Sequence, residues 1–294
     1  MVTVMKMENY KIYVDSALDI DNDILKTWGV NRIELSLMFS ENDKEYLNNE
    51  IDPVFFYNEM RAGKTAKTSA VNTQTFIDEF SKELASGNDI VYIAFSSGLS
   101  TTYNSGVAAA NELKEIYPNR KVLVVDSLSA SAGYGLLVYL AAKQKEQGAN
   151  PEQIVEFVEN TRLNIAHWFT VDDLVYLKRG GRISPAVAFV GGVLGIKPIL
   201  HVDNDGHLIS MSKVRGRRSA ILELSNKFGQ NAKKDTKQTV YISHGDCLDD
   251  AKELANILKK EYGVKTEIIT YVGPVIGAHS GPGTLALFFI ANER

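Results

Sequence analysis

The chain has 294 residues, 45% of them hydrophobic and 23% charged, with a formal net charge of −4. That length and mixture suit a globular protein of two ordinary domains with a large buried core, and the lack of any basic excess argues against nucleic acid as the partner. Cys247 is the single cysteine, so no internal disulfide can form, which fits a reducing cytoplasm. The opening stretch MVTVMKMENYK lacks a sustained apolar run and a cleavage site, so no signal peptide is expected there.

Three short runs in the first half read as strands: YKIYV ending at Asp15-Ser16, DIVYIAF ending at Ser96-Ser97 and KVLVVD ending at Asp126-Ser127. Each is nearly continuous in β-branched and aromatic residues, as strands buried on both faces are. Helical patterns lie between and after them. In TFIDEFSKELAS the apolar residues Phe76, Phe80 and Leu84 recur at helical spacing, and GVAAANELKEIY, YGLLVYLAAKQKEQG and NPEQIVEFVENT follow. Asn150 is the expected N-cap of the last, with Pro151 at its first position. This alternation predicts a parallel sheet flanked by helices.

Ligands of such sheets bind beyond the carboxyl ends of the strands. In SSGLSTTYNS, Ser100 lies where a loop enters a helix, and free N–H groups there favour an anion. Ser100 or Thr101 would equally serve as a cap. The pair Thr68-Ser69 in KTSAVNTQTF precedes the helix of Phe76 and admits the same two readings.

The second half changes pattern. IAHWFTV is a strand, DDLVYLKRGG a short helix stopped by Gly180-Gly181, and KPILHVDNDGHLISMSKVRG a hairpin turning at NDG. QTVYISHGD, the helix DDAKELANILKKEYG, TEIITYV and TLALFFI complete it. The expected fold is therefore α/β, with an N-terminal α/β domain over 1–165 and a C-terminal α+β domain over 166–294 whose sheet is largely antiparallel. Residues 183–200, ISPAVAFVGGVLGIKPIL, are too interrupted by prolines, glycines and Lys197 for a membrane span and are expected to be buried irregular or short helical structure.

In GPVIGAHSGPGTLAL, Gly277, Gly281, Pro282 and Gly283 predict a tight loop around His279. An isolated imidazole there is either a core group bonded to a carbonyl or a ligand donor. Basic clusters stand at Lys178, Arg179 and Arg182, and at Lys213, Arg215, Arg217 and Arg218. They are either a solvated face or forks for carboxylate or phosphate. G-x-S-x-G, Walker A, a strand-linked G-x-G-x-x-G and zinc-spaced histidine pairs are all missing. A Ser–His–Asp hydrolase would have to assemble Ser100, His279 and Asp15.

Taken in order, VDSALDI, KTSAVNTQTF, SSGLSTTYNS, VVDSLSASAGYG, LKRGGRIS and GAHSGPGTLAL resemble the DegV family of fatty-acid-binding proteins over nearly the whole chain. Members of that family serve as the binding subunit of bacterial fatty acid kinase. The resemblance implies two α/β domains with a long-chain fatty acid buried between them. It implies that Thr68 of the Thr68-Ser69 pair, Ser100 and His279 hold the carboxylate, with Arg182 and Arg215 in a network behind the histidine. It further implies a cytoplasmic bacterial carrier without metal, cofactor or catalysis of its own. Such a carrier presents the carboxyl group to a separate kinase for acyl-phosphate formation and phospholipid synthesis, with transient contact at a membrane surface. By the same comparison Arg217 and Arg218 face solvent or a partner. One position departs: the family's Ser-Gly-Thr is here Ser100-Thr101-Thr102, and the added side chain is expected to tighten the loop.

The chemistry of such a ligand is consistent with these residues. Burying about 14 methylenes is worth roughly 11 kcal/mol gross, so affinity needs a long apolar wall more than a strong charge pair. Ala186, Phe189, Val190, Val193, Leu194 and Ile196 are the expected wall. A bare buried carboxylate is costly, and two hydroxyls and an imidazole would satisfy it. The competing reading is an acyl hydrolase using Ser100 and His279.

Overall fold

The computed structural model describes residues 9–41, 44–184, 195–234 and 238–294. The predicted strands β1 (Tyr10–Asp15), β6 (Asp89–Ala94) and β7 (Val122–Asp126) form a parallel sheet with β2 (Val30–Ile33), in the order β2-β1-β6-β7. Every residue of β6 is buried, which is why its sequence shows no polar alternation. Helix α3 (Thr73–Ala85) lays Phe76, Phe80 and Leu84 on this sheet, with the Phe76 ring 4.9 Å from that of Tyr92. Helix α4 (Thr102–Ile116) follows β6, and α6 (Pro151–Thr161) packs against β6 and β7.

Residues 16–69 hold elements that periodicity does not announce: α1 (Asn22–Thr27), α2 (Pro53–Arg61) and a small antiparallel sheet, β4-β3-β5. Its strands β3 (Ser36–Phe39), β4 (Glu45–Leu47) and β5 (Ala66–Ser69) are short, and β5 reads AKTS, without the aliphatic run that marks a strand.

The second sheet runs β10-β9-β8-β13-β11-β12. It contains β8 (Ile165–Thr170), the predicted hairpin β9 (Ile196–Val202) and β10 (Leu208–Arg215), then β11 (Val240–His244), β12 (Thr266–Tyr271) and β13 (Leu285–Ile290). Only β11 and β12 are parallel, so the sheet is largely antiparallel. Strand alternation divides its faces. Trp168, Leu285, Leu287 and Phe289 face a core beneath α8 (Arg217–Asn231) and α9 (Leu248–Tyr262). Phe169, Ala286 and Phe288 join the larger core shared with the first sheet.

Helix α5 (Ser131–Glu146) lies between the two sheets and is buried nearly all round, so it has no amphipathic stripe. A Cβ at Gly133 would stand 2.4 Å from His167 Nε2, and one at Gly135 would stand 2.4 Å from Ile20 Cγ1. Both glycines are there because neighbours approach the helix on both sides. Among the described residues no helix is long and apolar enough to cross a membrane.

One local expectation is corrected. Residues around His279 form a helix, α10 (Pro274–Ser280), not a loop. Pro274 suits its first turn, and Gly281, at φ 82°, ends it. Gly277 serves close packing instead of a turn: a Cβ there would meet the Tyr57 hydroxyl at 2.5 Å.

The predicted cap of α6 is present as a full capping box, with Asn150 accepting from Gln153 N–H and the Gln153 side chain accepting from Asn150 N–H. Asn150→Ala should therefore cost about 1 kcal/mol, read as a lower midpoint in urea unfolding at unchanged slope.

Candidate functional site

Thr68 and His279 reach one another from opposite ends of the chain. Strand β5 pairs Thr68 with Leu37 of β3, and α10 carries His279 in its last turn. Thr68 Oγ1 lies 2.8 Å from His279 Nε2. Thr68 belongs to an edge strand and not a loop, and neither it nor Ser69 caps α3, whose N-cap is Asn72. The imidazole is packed so closely on Gly180 that a Cβ there would stand 2.1 Å from His279 Nδ1. That nitrogen is buried without a hydrogen-bond partner. Burial, and secondly the Arg182 guanidinium, push the His279 pKa down to about 4. The ring is therefore neutral near pH 7.

Ser100 lies between β6 and α4. Its Oγ accepts from Thr102 N–H at 3.2 Å and lies 2.9 Å from Thr102 Oγ1. The N-cap of α4 is Thr101, whose side chain makes no cap bond; Ser100, one residue earlier, instead holds the first helical N–H and also lines the cavity described below. Thr101 is exposed with φ −79°, an ordinary backbone conformation, so the side chain in the family's glycine position introduces no strain. Arg182 Nε donates to Leu99 O at 3.0 Å and so ties the residue before Ser100 to the turn after α7 (Val175–Arg179).

These groups border a cavity of about 490 Å³, within the usual range for small-molecule sites. Thr68, Ser69, Ser100, Arg182 and His279 all line it. Its remaining walls are mostly apolar, among them Leu35, Phe95, Phe169, Val275 and Phe288. Arg215 is not brought here. It is exposed at the end of β10, opposite Ile196, and neither residue lines the cavity. Ala186, Phe189, Val190, Val193 and Leu194 lie outside the described residues. Arg218 is 85% exposed, whereas Arg217 Nε is held by Asp250 at 2.8 Å.

The groups needed for a hydrolase do not assemble in these positions. His279 Nε2 faces Thr68 and Ser100 bonds Thr102. Asp15 is enclosed by Tyr92, Tyr134 and the Phe95 N–H, and among the described residues no carboxylate orients His279 Nδ1. What the site offers is a donor set for an anion at the edge of an apolar chamber. Sequence reasoning missed Gly180 as the backstop of the imidazole. It also missed Ser131, inside VVDSLSASAGYG, and Ser243, in the strand QTVYISHGD, both of which line the cavity.

Residues 9–292 match the model for uncharacterised proteins of the DegV family. The chain belongs to the DegV family. It is 40% identical to a DegV domain-containing protein of Clostridium perfringens, over 98% of this chain and 99% of that one. Among solved structures, a DegV lipid-binding protein of Thermotoga maritima superposes with a TM-score of 0.85 at 32% identity, covering 97% of this chain and 99% of that one. A DegV family protein of Thermus thermophilus, described by its fatty acid binding, gives 0.87 at 28% identity, covering 96% and 99%.

The packing against Gly180 makes a sharp test. Gly180 has φ −73°, so alanine is allowed by the backbone and only the imidazole must yield. Gly180→Ala should leave the fold intact by circular dichroism but break the Thr68–His279 contact, raising the His279 pKa towards 6.5 in an NMR titration.

The depressed pKa also fixes a sign. Unfolded His279 takes its proton near pH 6.5, whereas the folded ring resists until about 4, so its contribution to stability is full above 6.5 and lost as pH falls through this window. His279→Gln should remove up to about 1.4 kcal/mol per pH unit of acid sensitivity between those values, measured as urea stability against pH.

Proposed function

We propose that this protein binds a long-chain fatty acid, with the carboxylate at Thr68, Ser100 and His279 and the acyl chain in the cavity beyond. The observation that carries the reading is the neutral, half-buried His279 hydrogen-bonded to Thr68 at the cavity wall. With Nε2 protonated, the imidazole donates to Thr68 Oγ1, which leaves the threonine proton, beside that of Ser100, to donate to a carboxylate. Arg182 lines the same cavity but spends Nε and Nη1 on the carbonyls of Leu99 and Gly180, so tight binding falls to the apolar walls. The fatty acid binding described for the Thermus thermophilus relative supports the same ligand class.

The carrier role follows from this reading. The protein holds the acid and presents its carboxyl group to a separate cytoplasmic fatty acid kinase, and performs no chemistry itself. Arg182 supports the presentation by fixing the Leu99 carbonyl beside Ser100. Two domains, 1–165 and 166–294, would close over the ligand, and release would involve passing contact with a membrane surface.

Extraction of the purified protein should yield a long-chain fatty acid by mass spectrometry, and an extract free of lipid would oppose the reading. Thr68→Ala, Ser100→Ala and His279→Ala should each weaken binding about tenfold to a hundredfold without abolishing it, since one charge-assisted hydrogen bond is worth about 1.5–3 kcal/mol against a larger apolar term. Arg182→Ala should reduce phosphorylation by the kinase more than it reduces affinity, measured by parallel titration and turnover assays.

A further inference from the structure

The cavity has a second polar station, and nothing in carboxylate binding uses it. Helix α10 separates the two. His279 is at its C-terminal end, and Gly273, its N-cap, is six residues away, about 9 Å along the axis at 1.5 Å per residue. At the Gly273 end lies Asp19. A Cβ on Gly273 would stand 2.6 Å from Asp19 Oδ1. The backbone amide of Gly273 eases the charge on that oxygen without completing a hydrogen bond to it. Ser131 Oγ donates to the other oxygen, Oδ2, at 2.6 Å, and Ser243 Oγ lies 2.9 Å from Ser131 Oγ. Ser131 and Ser243 both line the cavity. Ser243 stands opposite Ala286, another cavity residue, in the β11–β13 pairing.

Proton counting gives this cluster a direction. A hydroxyl has one proton and two lone pairs. Ser131 commits its proton to Asp19, so the proton in the Ser131–Ser243 contact is that of Ser243. Ser243 is left with lone pairs as its remaining hydrogen-bonding capacity, on a wall where an alkyl chain asks only for carbon. Each serine hydroxyl has a partner inside the cluster, so the open capacity is the acceptor side of Ser243. An unsubstituted chain leaves it open.

We infer that Ser243, held by Ser131 and Asp19, is a hydrogen-bond acceptor for a hydroxyl group carried part-way along the acyl chain, so that the preferred ligands include hydroxylated long-chain fatty acids. This rests on the fatty-acid reading above and adds a substrate class to it. A ligand hydroxyl would donate to Ser243 Oγ, extending the line Ser243–Ser131–Asp19 by one member. Ser243 is fixed on the cavity wall by its β11–β13 pairing, so the hydroxyl must sit at one distance from the carboxyl group and only some positional isomers can satisfy both stations. If the cluster were only a tie between α5 and β11, its loss would weaken all acids alike.

The test is a titration at pH 8 of the full-length, delipidated protein with stearic acid and with monohydroxystearic acids differing in hydroxyl position. Burial raises the Asp19 pKa to about 7, so at pH 8 the carboxylate accepts only. At least one isomer should bind about threefold to tenfold tighter than stearic acid, the worth of one net hydrogen bond. In Ser243→Ala that ratio should collapse to about one. Ser243→Cys, close in volume and a poor acceptor, should do the same and serves if the alanine variant does not fold. The inference is overturned if no isomer outbinds stearic acid, or if the advantage survives both substitutions. Wild-type protein that binds neither stearic acid nor any isomer overturns the fatty-acid reading itself, a distinct result.

Discussion

A neutral imidazole wedged between a threonine hydroxyl and a glycine is the constraint on which the site depends. His279 has no room to turn, because Gly180 stands where any side chain would collide with Nδ1. Its other nitrogen is left to face Thr68 and the cavity. The ring's neutrality comes chiefly from burial, with Arg182 adding to it. Arg182 also grips the Leu99 carbonyl. One guanidinium thus biases the histidine electrostatically and sets the loop that carries Ser100. Three hydroxyl and imidazole groups from distant segments are brought to one wall by backbone contacts as much as by their own bonds.

The space beside them exists because α5 is clasped and not merely packed. Gly133 and Gly135 admit His167 and Ile20 to the helix surface, which draws the two sheets around a single helix. The hairpin between β9 and β10 is pinned to the first sheet's loops at its turn, where Ser96 Oγ donates to Gly206 O at 2.9 Å. Gly206, at φ 79°, has no space for a Cβ against that same Ser96 hydroxyl. Arg294 completes the clasp by donating to the carbonyls of Leu128, Arg162, Ile165 and Asp203. These polar seams hold together the elements around the chamber, whose lining is mostly carbon.

Where sequence and structure part, the differences have physical causes. Helix α10 was hidden because four glycines and two prolines look like a turn, yet Gly277 is there for the Tyr57 hydroxyl and Pro274 for the first turn. Strand β5 was hidden because an edge strand of four residues with alternate exposure needs no apolar run. Arg215, placed near the histidine by family resemblance, is exposed at the far end of β10.

The sequence by itself determined the strands β1, β6, β7, β8, β11 and β13, the N-cap at Asn150 and the hairpin at 203–206. These are local matters: burial leaves an aliphatic run, a cap leaves a polar residue at a fixed offset, and a turn leaves glycine. It also marked Thr68, Ser100 and His279 as residues out of keeping with their surroundings. Only the tertiary structure decided that Thr68 meets His279 across 211 residues, and that Ser131 meets Asp19 and Ser243 across 112 each. A contact between segments so far apart is made by the packing of sheets and helices that neither segment contains, so neither segment records it.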